Sequence, residues 1–291
     1  MSISSANSSR ALKATLTALI ALTVASCATT GSHHSETERE ARRAFDDGRL
    51  QEARTYAQMA MEEHPGDRDL PQLLAAIDRA EARQARRDGR LKEAYQLYRR
   101  AAQRESLPRP RGDDLMAAVE IGQSLGEPPG RLAVLAQKAV QDRPGSMEAR
   151  RNAATLWDNA GQPERALPHY RWIWRKERTD ANLGLRLAAL LKQVGRTEES
   201  VAVYRQVLLK KPDNVQANIN LAGTLAETGR QREARRIYED LLETYPENAA
   251  LLMRYAGFLD RNGQPERAEQ LRNKARQLMP GVQRREMREL E

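Results

Sequence analysis

The side chains able to do covalent or metal chemistry are few and scattered. Cys27 is the only cysteine, and the four histidines stand at 33, 34, 64 and 169. One thiol makes neither an internal disulfide nor a thiolate zinc cluster. His33-His34 is a pair of potential ligands in a polar stretch, but no set of thiols or carboxylates at ligand spacing completes a metal site around it. His64 and His169 fall near the ends of separate helical segments and read as surface residues. The 40 acidic residues are interleaved with arginine along helical stretches, where i,i+4 pairing on solvent-facing positions accounts for them. No glycine-rich phosphate loop, H-E-x-x-H pair or G-x-S-x-G elbow occurs. The sequence thus offers no catalytic constellation, and the expectation is a protein without enzyme activity, metal or cofactor.

The elements that hold these residues are helical by composition. Of 291 residues, 30% are charged and 4% aromatic, a mixture that suits long helices better than strands. The net charge of +8 raises the question of nucleic acid. The 40 arginines and 8 lysines are spread over the whole chain among acids, which marks solvated helix surfaces and not the clustered basic footprint of a nucleic-acid binder. No small-molecule substrate is indicated either.

Residues 1–26 read as an export signal. Arg10 and Lys13 precede an apolar run from Ala14 to Ala25, too short for a permanent membrane helix of about 20 residues. The run ends in Val24-Ala25-Ser26-Cys27, which resembles the lipobox of a bacterial lipoprotein. That resemblance implies cleavage before Cys27 and acylation (palmitate among the chains) of Cys27. Ala28, where an Asp would signal retention, resembles the pattern of lipoproteins sent to the outer membrane. Residues 27–38 then read as a lipidated cysteine and a short polar tether.

The rest of the chain repeats. Gly161, Gly195, Gly229 and Gly263 are 34 residues apart, and Pro212, Pro246 and Pro280 keep the same beat. Within each interval, apolar residues such as Ile219, Leu221, Ala222 and Leu225 follow a helical period. The glycine stops a first helix, and Pro163 and Pro265 just after it start a second. Each interval is therefore a helix, a turn and a helix.

These markers resemble the tetratricopeptide repeat (TPR). The family pattern has small residues at the eighth position (Ala154, Ala188, Ala222, Ala256) and the twentieth (Ala166, Ser200, Ala234, Ala268), and an aromatic at the twenty-fourth (Tyr170, Tyr204, Tyr238, with Arg272 departing). Arg178 departs from the proline expected late in its unit. The resemblance implies an all-α fold, a right-handed superhelical solenoid of about seven helix-turn-helix units. Four regular units occupy 145–280 and irregular ones 39–144, where Arg68 to Leu74 reads as an insertion and Ser106 to Gly112 as a linker. Residues 281–291 read as a C-terminal capping helix or tail with a polar outer face.

A TPR solenoid implies a concave groove lined by its first helices. Repeat phase places Arg151, Leu185, Ile219 and Met253 at one groove position and Asn152, Arg186, Asn220 and Arg254 beside them. Thr155, Ala189, Gly223 and Gly257 form a third row, shrinking to glycine. The apolar members either meet a partner peptide or pack within the stack. The carboxylate clamp of chaperone-binding TPR proteins is not matched, since Arg151, Thr155 and Arg186 stand at its positions. Arg79, Arg83, Arg86, Arg87 and Arg90 read as one basic face, solvated or turned to anionic lipid. Of Trp172 and Trp174, one is expected in the core and the other exposed.

The layout is similar to that of pilotin-like outer-membrane lipoproteins of type IV pili: a lipid anchor, a tether and six or seven repeats. The resemblance implies a periplasm-facing scaffold that binds protein partners during assembly of a pilus, secretin or motility machine. Alternatives are an adaptor for peptidoglycan hydrolases or proteases, an accessory of outer-membrane protein assembly, or a glycan-cleaving helical enzyme.

Overall fold

The computed structural model describes residues 35–278. The described residues form fourteen α-helices and no strand, paired in seven hairpins. These are α1 (Glu36–Asp46) with α2 (Leu50–Glu63), α3 (Leu70–Arg87) with α4 (Leu91–Arg104), and α5 (Pro108–Ser124) with α6 (Pro129–Asp142). Then follow α7 (Met147–Asn159) with α8 (Pro163–Lys176), α9 (Ala181–Gln193) with α10 (Thr197–Lys210), α11 (Val215–Glu227) with α12 (Gln231–Thr244), and α13 (Ala249–Arg261) with α14 (Pro265–Leu278). The fold is all-α and made of seven helix-turn-helix units, as the repeat predicts. The export signal, Cys27, His33-His34 and the segment 281–291 lie outside the described residues.

One backbone device makes every hairpin. Gly48, Gly89, Gly126, Gly161, Gly195, Gly229 and Gly263 each follow a first helix with φ between 68° and 79°, a left-handed conformation that strains any side chain. The next residue's N–H then reaches back to a carbonyl five residues earlier, as in Gln162 to Trp157 (2.9 Å), Arg196 to Leu191 (2.8 Å) and Arg230 to Leu225 (2.9 Å). This Schellman closure satisfies carbonyls the helix end leaves open. Four first helices start under side-chain caps: Ser146, Asp180, Asn214 and Asn248 accept the N–H of Ala149, Leu183, Ala217 and Leu251.

The small residues of the repeat sit where helices touch. Ala154, Ala188, Ala222 and Ala256, with Ala166, Ser200, Ala234 and Ala268, have no exposed surface. Gly184 is the tightest point. A Cβ there would lie 2.9 Å from Trp174 Cη2 and closer still to Val207, so α9 can approach α8 and α10 only without a side chain.

The chain divides into two compact units, the first ending at Asp114 and the second starting at Leu115. That boundary falls within α5.

The first unit departs from the sequence reading at several points. Its helices begin at Glu36, inside the stretch read as tether, because Ser35 caps the helix by accepting the Glu38 N–H. The insertion at Arg68 to Leu74 supplies the start of α3, which runs to 18 residues from Leu70. The proline-rich linker is the start of α5. Proline is tolerated in a first turn, whose N–H groups have no helical acceptor.

Its acids are also not all solvent-facing. Glu38, Asp78, Glu105 and Asp114 are buried. Asp78 receives Arg54 (2.6 Å), Arg100 (2.6 Å) and Arg104 (2.5 Å). Asp114 and Glu105 share Arg79 at 2.7 and 3.1 Å, and burial pushes the Asp114 carboxyl up against the pull of that guanidinium. The proposed basic face therefore loses Arg79 to the interior. Arg90 lies in the turn after α3, paired with Asp88 and Glu93.

Candidate binding groove

In the second unit, the first helices α9, α11 and α13 line a cavity of about 580 Å³. Ile219, Asn220, Met253 and Arg254 lie together in its wall, with Gly223 and Gly257 of the shrinking row and Ala189 beside them. Ile219 is 3% exposed and forms floor. Met253 is half-buried and Arg254 exposed, so these two face whatever enters. Beneath them Tyr238 stacks on Tyr255 at 5.2 Å and meets Phe258 at a tilt, 5.5 Å between centroids, a rigid aromatic support.

The other four residues assigned to the groove are not in this cavity. Arg151 is paired with Glu177. Asn152 turns its amide back to the Glu148 carbonyl at 3.2 Å. Leu185 is half-buried in the stack, and Arg186 is held by Asp158 (Nε–Oδ2 2.5 Å), which also accepts from Tyr170 Oη. Internal carboxylates have taken the arginines on that side.

Several contributors were missed from sequence, among them Lys192, Glu227 and Arg261. Gln193, Glu227 and Arg261 recur at 34-residue spacing, so extending the register to the last turn of each first helix would have found two of them. Lys192 bridges to Glu227 at 2.7 Å. Arg254 and Arg261 have no carboxylate partner among the described residues. Burial pushes the Tyr238 phenol up, and the charges of these two arginines offset part of that shift. The groove thus combines an apolar floor, a tyrosine-lined wall and two guanidiniums without a carboxylate partner among the described residues.

Elsewhere in the unit, Trp174 is buried and donates to Gln206 Oε1 at 3.0 Å. Trp172 is half-buried beneath Arg150, 4.4 Å from its ring. His169 is not a surface residue: it is 4% exposed and bonded through Nε2 to Gln137 Oε1 at 2.7 Å. The preceding hairpin covers it, which the 34-residue phase alone does not reveal.

Two family models match the chain, one described as Tetratrico peptide repeat over residues 145–246 and one as Tetratricopeptide repeat over residues 225–284. No curated protein matches it. Among solved structures, YrrB, titled a TPR protein with an unusual peptide-binding site, aligns with a TM-score of 0.49 and 17% identity. That alignment covers 67% of this chain and 95% of YrrB. MamA aligns with a TM-score of 0.46 and 15% identity over 61% of this chain and 94% of its own.

Proposed function

We propose that this chain of tetratricopeptide repeats is an envelope scaffold that holds a protein or peptide partner in the groove of its second unit. The observation that carries this reading is the convergence of Ile219, Met253, Asn220 and Arg254 on one cavity whose two outer arginines have no carboxylate partner among the described residues. An amphipathic segment fits it: apolar side chains cover Met253 and the floor, while carboxylates or carbonyls meet Arg254, Arg261 and Asn220. The sequence Val24-Ala25-Ser26-Cys27 supports an acyl anchor on Cys27, and Ala28 supports an outer-membrane, periplasm-facing position. In that setting the scaffold serves assembly of a pilus, secretin or motility machine.

The test is photocrosslinking in cells from positions 220 and 254, with position 236 as control. Arg236 is 85% exposed on α12, outside the groove. Capture of one envelope protein from 220 and 254 is the expected result, and it should vanish in the Met253→Asp/Arg254→Glu variant with helicity retained. Ile219 is unsuited to such a change, because a carboxylate at a buried position costs stability. Capture from 236 alone would move the site elsewhere.

A further inference from the structure

Four departures from the repeat pattern of the second unit converge at one place. At the seam between the second helices α6 and α8, the lining of a cavity of about 680 Å³ includes Arg150, Trp157, Pro168 and His169. Stepping by 34 residues gives Gly184, Asn218 and Leu252 for Arg150; Leu191, Leu225 and Leu259 for Trp157; Ala202, Arg236 and Gln270 for Pro168; and Val203, Ile237 and Leu271 for His169. The stack folds without these four residue types three times over. Packing alone does not call for them here.

Two buried polar atoms in this wall are unsatisfied. Trp157 is 3% exposed and His169 4%, yet Trp157 Nε1 and His169 Nδ1 have no hydrogen-bond partner among the described residues. Gln137 Oε1 can only accept, so the Nε2 of His169 carries the proton of that bond and Nδ1 is a bare acceptor. Pro168 has no N–H, so the Glu164 carbonyl one turn earlier has no helical donor.

The neighbouring seams show what closes such a face. There an arginine of one second helix meets a carboxylate of the next: Arg171 with Glu199 at 2.5 Å, and Arg205 with Glu233 at 3.0 Å. In the α6–α8 seam the equivalent residues are Gln137 and Arg165, so the carboxylate is missing and an arginine stands in its place. Arg165 lies 4.5 Å over the Trp157 ring with no acidic partner among the described residues. Arg150 likewise has none; it rests on Trp172 and donates to the Pro144 carbonyl at 3.1 Å. The exposed Glu164 is the one acid on the rim.

We propose that the α6–α8 seam is a second docking site, separate from the groove, which receives an acidic segment of a partner protein. A carboxylate of that segment takes the place of the missing seam glutamate, bonded by Arg165, Arg150 and Trp157 Nε1–H. A backbone N–H of the same segment satisfies His169 Nδ1. This site does not depend on the groove reading.

Two labelled decapeptides, alternating Glu-Gly and alternating Lys-Gly, are titrated into the purified protein, along with free glutarate. Anisotropy reports binding, and the Trp157 indole N–H resonance, assigned through Trp157→Phe, reports its place. The Glu peptide should bind saturably and move that resonance. Arg165→Glu writes into the seam the residue its repeats already tolerate at 199 and 233, and Arg150→Gln removes the second cation. Each should weaken binding by about tenfold or more, as loss of a charge-assisted bond does. The groove variant Arg254→Glu/Arg261→Glu should leave the resonance shift intact. Equal binding of the Lys peptide would overturn the proposal, as would glutarate binding as tightly as the peptide. So would a shift abolished only by the groove variant, or no titration with any probe, the result for a cavity that holds water alone.

Discussion

Burial pulls the His169 imidazole down to about 4, and the charge of Arg150 adds to the effect. The consequence for stability has a definite sign. Unfolded, a histidine titrates near 6.5; folded, this one resists the proton until about pH 4. Acid therefore favours the unfolded chain, so the stabilisation is complete above pH 6.5 and drains away as the pH falls towards 4. Between pH 7 and 5 the loss from this group is about 2 kcal/mol, at 1.36 kcal/mol per pH unit. In His169→Leu, which copies Leu271 of the last repeat, that part of the acid sensitivity should disappear. Urea unfolding at both pH values checks it, and parallel losses in the protein and the variant would show that His169 is not the sensor. The sequence suggested an exposed histidine, because periodicity identifies the helix it sits on but not the neighbour laid over it. The glycines of the turns, by contrast, were legible at once, since their left-handed conformation is a local demand.

Individual helices were legible wherever their signals were local. The turn glycines, and the starting prolines of α8 and α14, mark where the helices of the regular hairpins stop and start. Signals of the first unit were ambiguous for the same physical reason: Pro108 and Pro110 break a helix in its middle but begin one at its first turn. Its buried acids were invisible because their arginines come from other helices. Arg54 of α2 and Arg100 and Arg104 of α4 converge on Asp78 of α3, which has no exposed surface. Asp78→Ala leaves three guanidiniums facing one another around an uncharged methyl. Removing one member of such a buried set costs on the order of 3–5 kcal/mol, well above a surface ion pair at about 0–1. Repeats in a stack communicate only with neighbours, so the damage should stay local. Amide exchange is expected to rise across α2 to α4 and to hold steady across α9 to α13. Unchanged protection in the first unit would mean that the arginines find water easily and that the network is ornamental to stability.

At the scale of the whole molecule the groove and the seam share one logic. Where internal carboxylates claim the arginines, as Asp158 does Arg186 and Glu199 does Arg171, the surface is closed. Where they do not, at Arg254 and Arg261 and again at Arg150 and Arg165, a partner's acids have somewhere to go. Arg151, Asn152, Leu185 and Arg186 lie outside the cavity that Ile219, Asn220, Met253 and Arg254 line, because repeat phase predicts direction and says nothing of who answers from the next hairpin. The proposed anchor belongs to this same scale, since an acylated Cys27 would decide where those surfaces meet a partner. One acyl chain holds a protein to a bilayer only marginally, and a second makes attachment firm, each buried methylene contributing about 0.8 kcal/mol. Cys27→Ser removes the only thiol that can carry such chains. The variant should leave the membrane pellet for the soluble envelope fraction, with its helicity unchanged and its groove crosslinks weakened in cells but not with purified partner. A wild-type protein that carries no acyl group by mass spectrometry would defeat the anchor while leaving the two binding surfaces to be judged on their own chemistry.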